Sequence, residues 1–147
     1  MHEMDRTPRI LTIIGLIFDG IAMASLWLFG WMFRNIGSFG IFELMQEDMT
    51  PDEWEYMVLI FDWIGNLMLI MGVIFTVIFL VNIILFTRLM KGKYDDEKAK
   101  NVYLYQAIIG GINLLSNQVT GIMYLISGVM GYKGHKEMTQ KDIRRGI

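Results

Sequence analysis

The sequence predicts an all-α integral membrane protein, a four-helix bundle with both termini in the cytoplasm and an outer segment between the first two spans. Three observations carry that expectation. The 147-residue chain is 54% apolar and 13% aromatic, with a mean hydropathy of +0.42, more than a soluble domain of this length needs. Its 13 Lys and Arg residues, Arg34 excepted, fall in three tracts separated by long apolar stretches. These are Arg6 and Arg9, then Arg88, Lys91, Lys93, Lys98 and Lys100, then Lys133, Lys136, Lys141, Arg144 and Arg145. Short basic segments are retained on the cytoplasmic side. Third, the tract around Arg34 is acidic, with Glu43, Glu47, Asp48, Asp52, Glu53, Glu55 and Asp62, and is expected to face outward.

The first span is expected at about 10–33, roughly 24 residues or about 36 Å of helix, enough to cross about 30 Å of hydrocarbon. It begins after Arg9 with no small-residue cleavage site behind it, so it reads as a retained helix. Trp27 and Trp31 suit the outer interface. Gly37, Ser38 and Gly40 then end the helix. In the outer segment, 34–62, the residues Phe39, Ile41, Phe42, Leu44 and Met45 could form an amphipathic turn on the membrane surface. Thr50-Pro51-Asp52-Glu53 is a helix start: Thr50 caps, Pro51 fits the first helical position, and Glu53 returns a bond to the cap. A second helix is therefore expected to start beyond the membrane, project outward, and cross at about 64–87.

The charge-free stretch from Asn101 to Tyr132 decides the architecture. One crossing would export the basic tail, whereas two return it to the cytoplasm, so spans are expected at about 98–116 and 119–137, with a turn at Ser116-Asn117-Gln118 reaching the outer surface. Tyr103, Tyr105 and Tyr132 would then lie near the inner interface. Gly110, Gly111, Gly121, Gly128 and Gly131, and the pair Gly20 and Ala24, suit close helix packing. Ile13–Ile17 resembles Ile108–Ile112, a match that apolar segments make by chance.

The opening Arg6-Thr7-Pro8-Arg9 into Ile10–Ile17, the acidic outer loop, and the closing hairpin ending Ile126-Ser127-Gly128-Val129-Met130-Gly131 resemble an uncharacterised family of small four-span membrane proteins of Gram-positive bacteria. The resemblance implies a bacterial plasma-membrane protein and supplies no catalytic residues. The plan is also similar to that of claudin-type tetraspan proteins, without their paired loop cysteines.

Asp19 is the first candidate for chemistry. It lies about 15 Å inside the inner boundary, where an acid costs about 2.5 to 3.5 kcal/mol on insertion scales. It should face the bundle interior and be protonated, hydrogen-bonded or hydrated, with Asn82, Gln106, Asn113 and Ser127 as partners. The intramembrane polar candidates are thus Asp19, Asn82 and Asn113, read either as interhelical hydrogen bonding or as a proton or cation site. The outer acids lack the glycine and spaced ligands of a calcium loop. There is no cysteine, and no metalloprotease, nucleophile-elbow or phosphate-loop motif. His2 and His135 stand far apart, and the 13 methionines suit adaptable packing.

No cofactor, metal or catalytic group is expected. The basic tracts are explained by topology and anionic lipid, with no nucleic acid needed. The expected function is that of a non-enzymatic accessory or assembly protein, joining a homo-oligomer or larger membrane-protein complex. Its partner-interface candidates are Trp54, Tyr56, Phe61 and Trp63. The alternative is a small oligomeric channel or proton- or cation-coupled transporter using Asp19.

Overall fold

The computed structural model describes residues 4–39 and 48–144. Among these the protein is all-α, with four α-helices: α1 (Arg6–Arg34), α2 (Pro51–Met90), α3 (Asp96–Asn113) and α4 (Gln118–Arg144). Two of them, α1 and α2, are long and apolar enough to cross a membrane. A 3-10 turn, Ile36–Ser38, follows α1 at the glycine and serine expected to stop it. The amphipathic pattern Ile41–Met45, together with Glu43 and Glu47, lies outside the described residues.

Helix α2 starts where its cap dictates. Glu53 Oε2 accepts from the Thr50 amide at 2.9 Å and from the Thr50 hydroxyl at 2.8 Å, and the Glu53 amide donates back to Thr50 Oγ1 at 3.4 Å. These bonds hold the Glu53 carboxyl below its ordinary range, the backbone donor contributing most. The helix ends at Gly92, whose φ of 62° admits a Schellman closure. Lys93 N donates to Arg88 O at 3.0 Å and Gly92 N to Leu89 O at 3.1 Å. Asp95 then caps α3 by accepting from Lys98 N at 2.9 Å, which holds its carboxyl low.

The chain forms two compact units, one comprising Met1–Gly20 with Phe79–Ile147 and the other Ile21–Ile78. In unit 1, α3 and α4 are antiparallel and meet backbone to backbone. A Cβ on Gly121 would lie 2.5 Å from Leu114 N, and one on Gly128 2.5 Å from Ala107 N. Only a residue without a side chain permits that approach. Gly111 faces open space and is not part of the contact.

The apolar core of unit 1 gathers Met4, Leu89, Ala99 and Tyr103, flanked by Met90, Tyr94, Val102 and Tyr132. Arg9 Nη2 donates to Met90 O at 3.1 Å, and Lys100 stands 5.5 Å over the Tyr132 ring. The chain start, the α2–α3 connection and the middle of α4 therefore share one end of this unit. The stretch 101–132 is indeed two antiparallel helices. Tyr103 is buried against Gly131.

Unit 2 is a pair of antiparallel segments from α1 and α2. A Cβ on Gly65 would lie 2.5 Å from Arg34 N, and one on Gly30 3.0 Å from Leu69 Cγ. Trp27 Nε1 donates to Thr76 Oγ1 at 3.0 Å, and that hydroxyl donates to Gly72 O at 2.7 Å. Phe33 stacks on Phe61 with ring centroids 5.5 Å apart.

Candidate functional site

The buried side chains of unit 1 are unusually polar. Thr12, Asp19, Asn82, Gln106, Asn113, Thr120 and Ser127 are all buried, while Ile10, Ile13, Ile17 and Phe18 of the same α1 segment are exposed. In water that would invert the expected order, whereas in hydrocarbon it is the favourable arrangement.

Spacing explains the placement. Thr12, Gly15 and Asp19 are three and four residues apart on α1, and Asn117, immediately before α4, is followed at three, four and three residues by Thr120, Tyr124 and Ser127 on it, so each set lies along one helix face. The faces meet antiparallel. Ser127 Oγ reaches Pro8 O at 2.8 Å, Thr120 Oγ1 reaches Gly15 O at 3.4 Å, and Asn117 Nδ2 reaches Phe18 O at 3.3 Å.

Two hydrogen-bonded clusters result. In the first, Asp19 Oδ2 accepts from Asn82 Nδ2 at 3.3 Å and from the Tyr124 hydroxyl at 3.2 Å. Asn82 Oδ1 accepts from the Tyr105 hydroxyl at 2.9 Å. Each of the four helices supplies one member. The amide of Asn82 is used at both ends, its donor toward a carboxylate and its acceptor toward a phenol, which fixes its orientation chemically. The Tyr124 ring also closes over Gly15, where any side chain would collide with it.

The second cluster joins Thr12, Ser127, Gln106 and Pro8 O. The Thr12 and Ser127 hydroxyls lie 2.8 Å from each other and 2.8 Å each from Pro8 O. Two hydroxyl protons serve these three contacts, so one contact lacks a proton in any arrangement. Gln106 Nε2 donates to Thr12 Oγ1 at 2.7 Å. Its buried Oε1 meets no donor, a cost that the rest of the cluster must offset. This cluster is built for hydrogen bonds.

The structure thus brings Asn82 to Asp19, as expected from sequence. Gln106 and Ser127 belong to the second cluster instead. Asn113 is buried, but its side chain bonds to neither cluster. Tyr105, expected at the inner interface, points to Asn82. Tyr124 and Thr12 were not anticipated as members; the shared-face spacing of Tyr124 with Thr120 and Ser127 was the available signal.

On the outer part of α2, Tyr56 is 69% exposed and Trp63 68%, with Leu59 and Ile60 exposed between them. Positions 56, 59, 60 and 63 form one stripe of the helix. Shallow clefts there are lined by Asp52, Glu55, Tyr56 and Leu59, and by Leu59, Ile60, Asp62 and Trp63. Trp54 and Phe61 are partly buried, Phe61 being engaged by Phe33. In comparison with known proteins, no family model, curated protein or solved structure matches the chain.

Proposed function

We propose that this chain is a multi-pass protein of the bacterial plasma membrane, of the small four-span kind it resembles. Both termini are cytoplasmic, and it acts as a non-enzymatic accessory or assembly subunit. The orientation rests on the basic tracts, which the packing of unit 1 gathers toward one end: Arg9 against Met90, Lys100 against Tyr132.

One observation carries the assembly reading, the exposed stripe Tyr56, Leu59, Ile60 and Trp63 flanked by Asp52, Glu55 and Asp62. Helix α2 has 40 residues, about 60 Å at 1.5 Å each, twice the thickness of hydrocarbon. Its charge-free part begins at Trp63, so Tyr56, Leu59 and Ile60 project beyond it. Large apolar side chains exposed there, beside acids, suit a partner face that is apolar with basic residues around it.

A photo-crosslinking side chain at Tyr56, in cells, tests this. A discrete protein adduct of fixed mass is expected, either with a second copy or with one membrane protein. Adducts to lipid alone would replace the assembly face with an interfacial anchor.

A second reading draws on the Asp19 cluster. A carboxyl held between an amide and a phenol, deep in a membrane segment, is also the arrangement of a proton or cation site. It predicts proton or cation flux in liposomes that Asp19→Asn abolishes.

A further inference from the structure

The hairpin of α3 and α4 stops short. Its turn is tied to α1 by Asn117 Nδ2 on Phe18 O and, one helical turn earlier, by Thr120 Oγ1 on Gly15 O. Phe18 is only the thirteenth residue of the 29 in α1. It lies about 12 Å past Ile10, where the apolar stretch of α1 begins. If α1 crosses from Ile10, the turn sits near the middle of the bilayer.

The length of α3 agrees. Asp96, Glu97, Lys98 and Lys100 occupy its first turns, leaving Asn101–Leu115 free of charge. These 15 residues rise about 22 Å, less than the roughly 30 Å of a crossing.

The turn itself is equipped for depth. Non-helical backbone at membrane depth is tolerated where it is buried in protein or wetted, and the amides from Leu114 to Asn117 bond within the chain. Leu114 N donates to Gly110 O at 3.1 Å, Leu115 N to Ile112 O at 3.2 Å, and Ser116 N and Asn117 N to Asn113 O at 3.1 and 2.7 Å. Asn117 Oδ1 accepts from Thr120 N at 3.3 Å. At the very tip Leu115 is 92% exposed, above a stripe of exposed Leu104, Ile108 and Ile112. The polar side chains exposed beside it, Ser116 and Gln118, carry no charge.

We infer that α3 and α4 form a re-entrant hairpin. They enter from the cytoplasmic face and return to it, with Leu115 and the stripe beneath it against the acyl chains of the inner leaflet. This rests on the orientation proposed above for α1 and α2; it replaces the last two of the four spans, and the outer-surface turn expected from sequence, with one half-depth hairpin.

The chain has no cysteine, so single cysteines in the full-length protein can carry nitroxide labels. Reconstituted in phosphatidylglycerol–phosphatidylethanolamine vesicles, labels at Leu104, Ile108, Ile112 and Leu115 would be compared for access to oxygen and to a water-soluble nickel complex. Depth is expected to increase steadily along the series and to be greatest at Leu115. All four side chains are exposed, so substitution there should not unfold the protein. A maximum near Ile108, with Leu115 as open to nickel as a label at Asp48, would overturn the re-entrant hairpin and restore a crossing. A separate control keeps the two readings apart: an impermeant maleimide reaching Ile147→Cys from outside intact cells would overturn the orientation, whatever the depth series shows.

Discussion

Both units pack helices through glycine, yet their interiors differ. In unit 1 one side chain from each of four helices joins the Asp19 cluster, and a second polar cluster lies about two turns away along α1. In unit 2 the inter-helix contacts are rings and backbone: Phe33 on Phe61, Trp27 over Gly72, Gly65 against Arg34. Among the described residues, a side-chain hydrogen bond between its helices runs from Trp27 to Thr76. Two segments can be zipped together by close backbone contact and stacking, whereas four helices in an apolar solvent gain specificity from polar groups that have only each other to bond. The polar network therefore specifies which helices belong together in unit 1.

The largest effects should come from glycines at backbone contacts, in both units alike. Gly121→Leu or Gly128→Leu would force α3 and α4 apart, costing about 3 kcal/mol or more and releasing unit 1 in thermal or denaturant unfolding in detergent. Gly65→Leu should do comparable damage confined to unit 2. Gly111→Leu, facing open space, should be nearly silent; equal damage there would show that helix propensity, not contact, decides.

Next come the polar groups, and here the units should separate. Asn82→Leu removes one of two donors to Asp19 and the acceptor of Tyr105, and should destabilise unit 1 by about 1 to 3 kcal/mol. Asp19→Asn should be tolerated far better than Asp19→Leu, since it keeps an acceptor for Tyr124. In unit 2, Trp27→Phe loses one partly exposed bond and should cost no more than about 1 kcal/mol. Tyr105→Phe and Tyr124→Phe act at opposite ends of the Asn82–Asp19 pair, so a double-mutant cycle should show coupling between them. Strict additivity would dissolve the four-helix network into separate bonds.

The smallest effects concern pH at the helix starts. Glu53 and Asp95 have carboxyls lowered by their caps. The sign follows: their contribution is complete above the ordinary carboxylate range and is lost as pH falls through the lowered folded values. Protection of the first-turn amides of α2 and α3, taken relative to the intrinsic exchange rate at each pH, should therefore fall only in that acidic window. Protection already lost at neutral pH would contradict the caps.

Much of this was legible in sequence for identifiable reasons. Thr50-Pro51-Asp52-Glu53 announced the start of α2 because capping is local chemistry. Ser116-Asn117 marked the turn, and Asp19 stood out because an acid in an apolar run demands a partner. Its partners were less legible, since Asn82 and Tyr124 lie 63 and 105 residues away and their choice depends on helix register. Phe61 and Tyr56 look alike as aromatic neighbours of acids, yet only packing shows Phe61 turned to Phe33 and Tyr56 exposed. The depth of the α3–α4 turn was illegible, because composition gives the length of an apolar stretch and not the level at which its turn meets α1.

The proposed assembly face is tested most directly by the mass of the particle extracted from membranes in lipid nanodiscs. The wild type should exceed the 17.1 kDa of one chain by a second copy or a stoichiometric partner. Tyr56→Ala with Trp63→Ala should reduce it to a single chain while helical content is kept. A wild-type particle of one chain and no partner, giving Asp19-dependent proton flux in liposomes, would contradict the assembly account and establish the transport reading in its place.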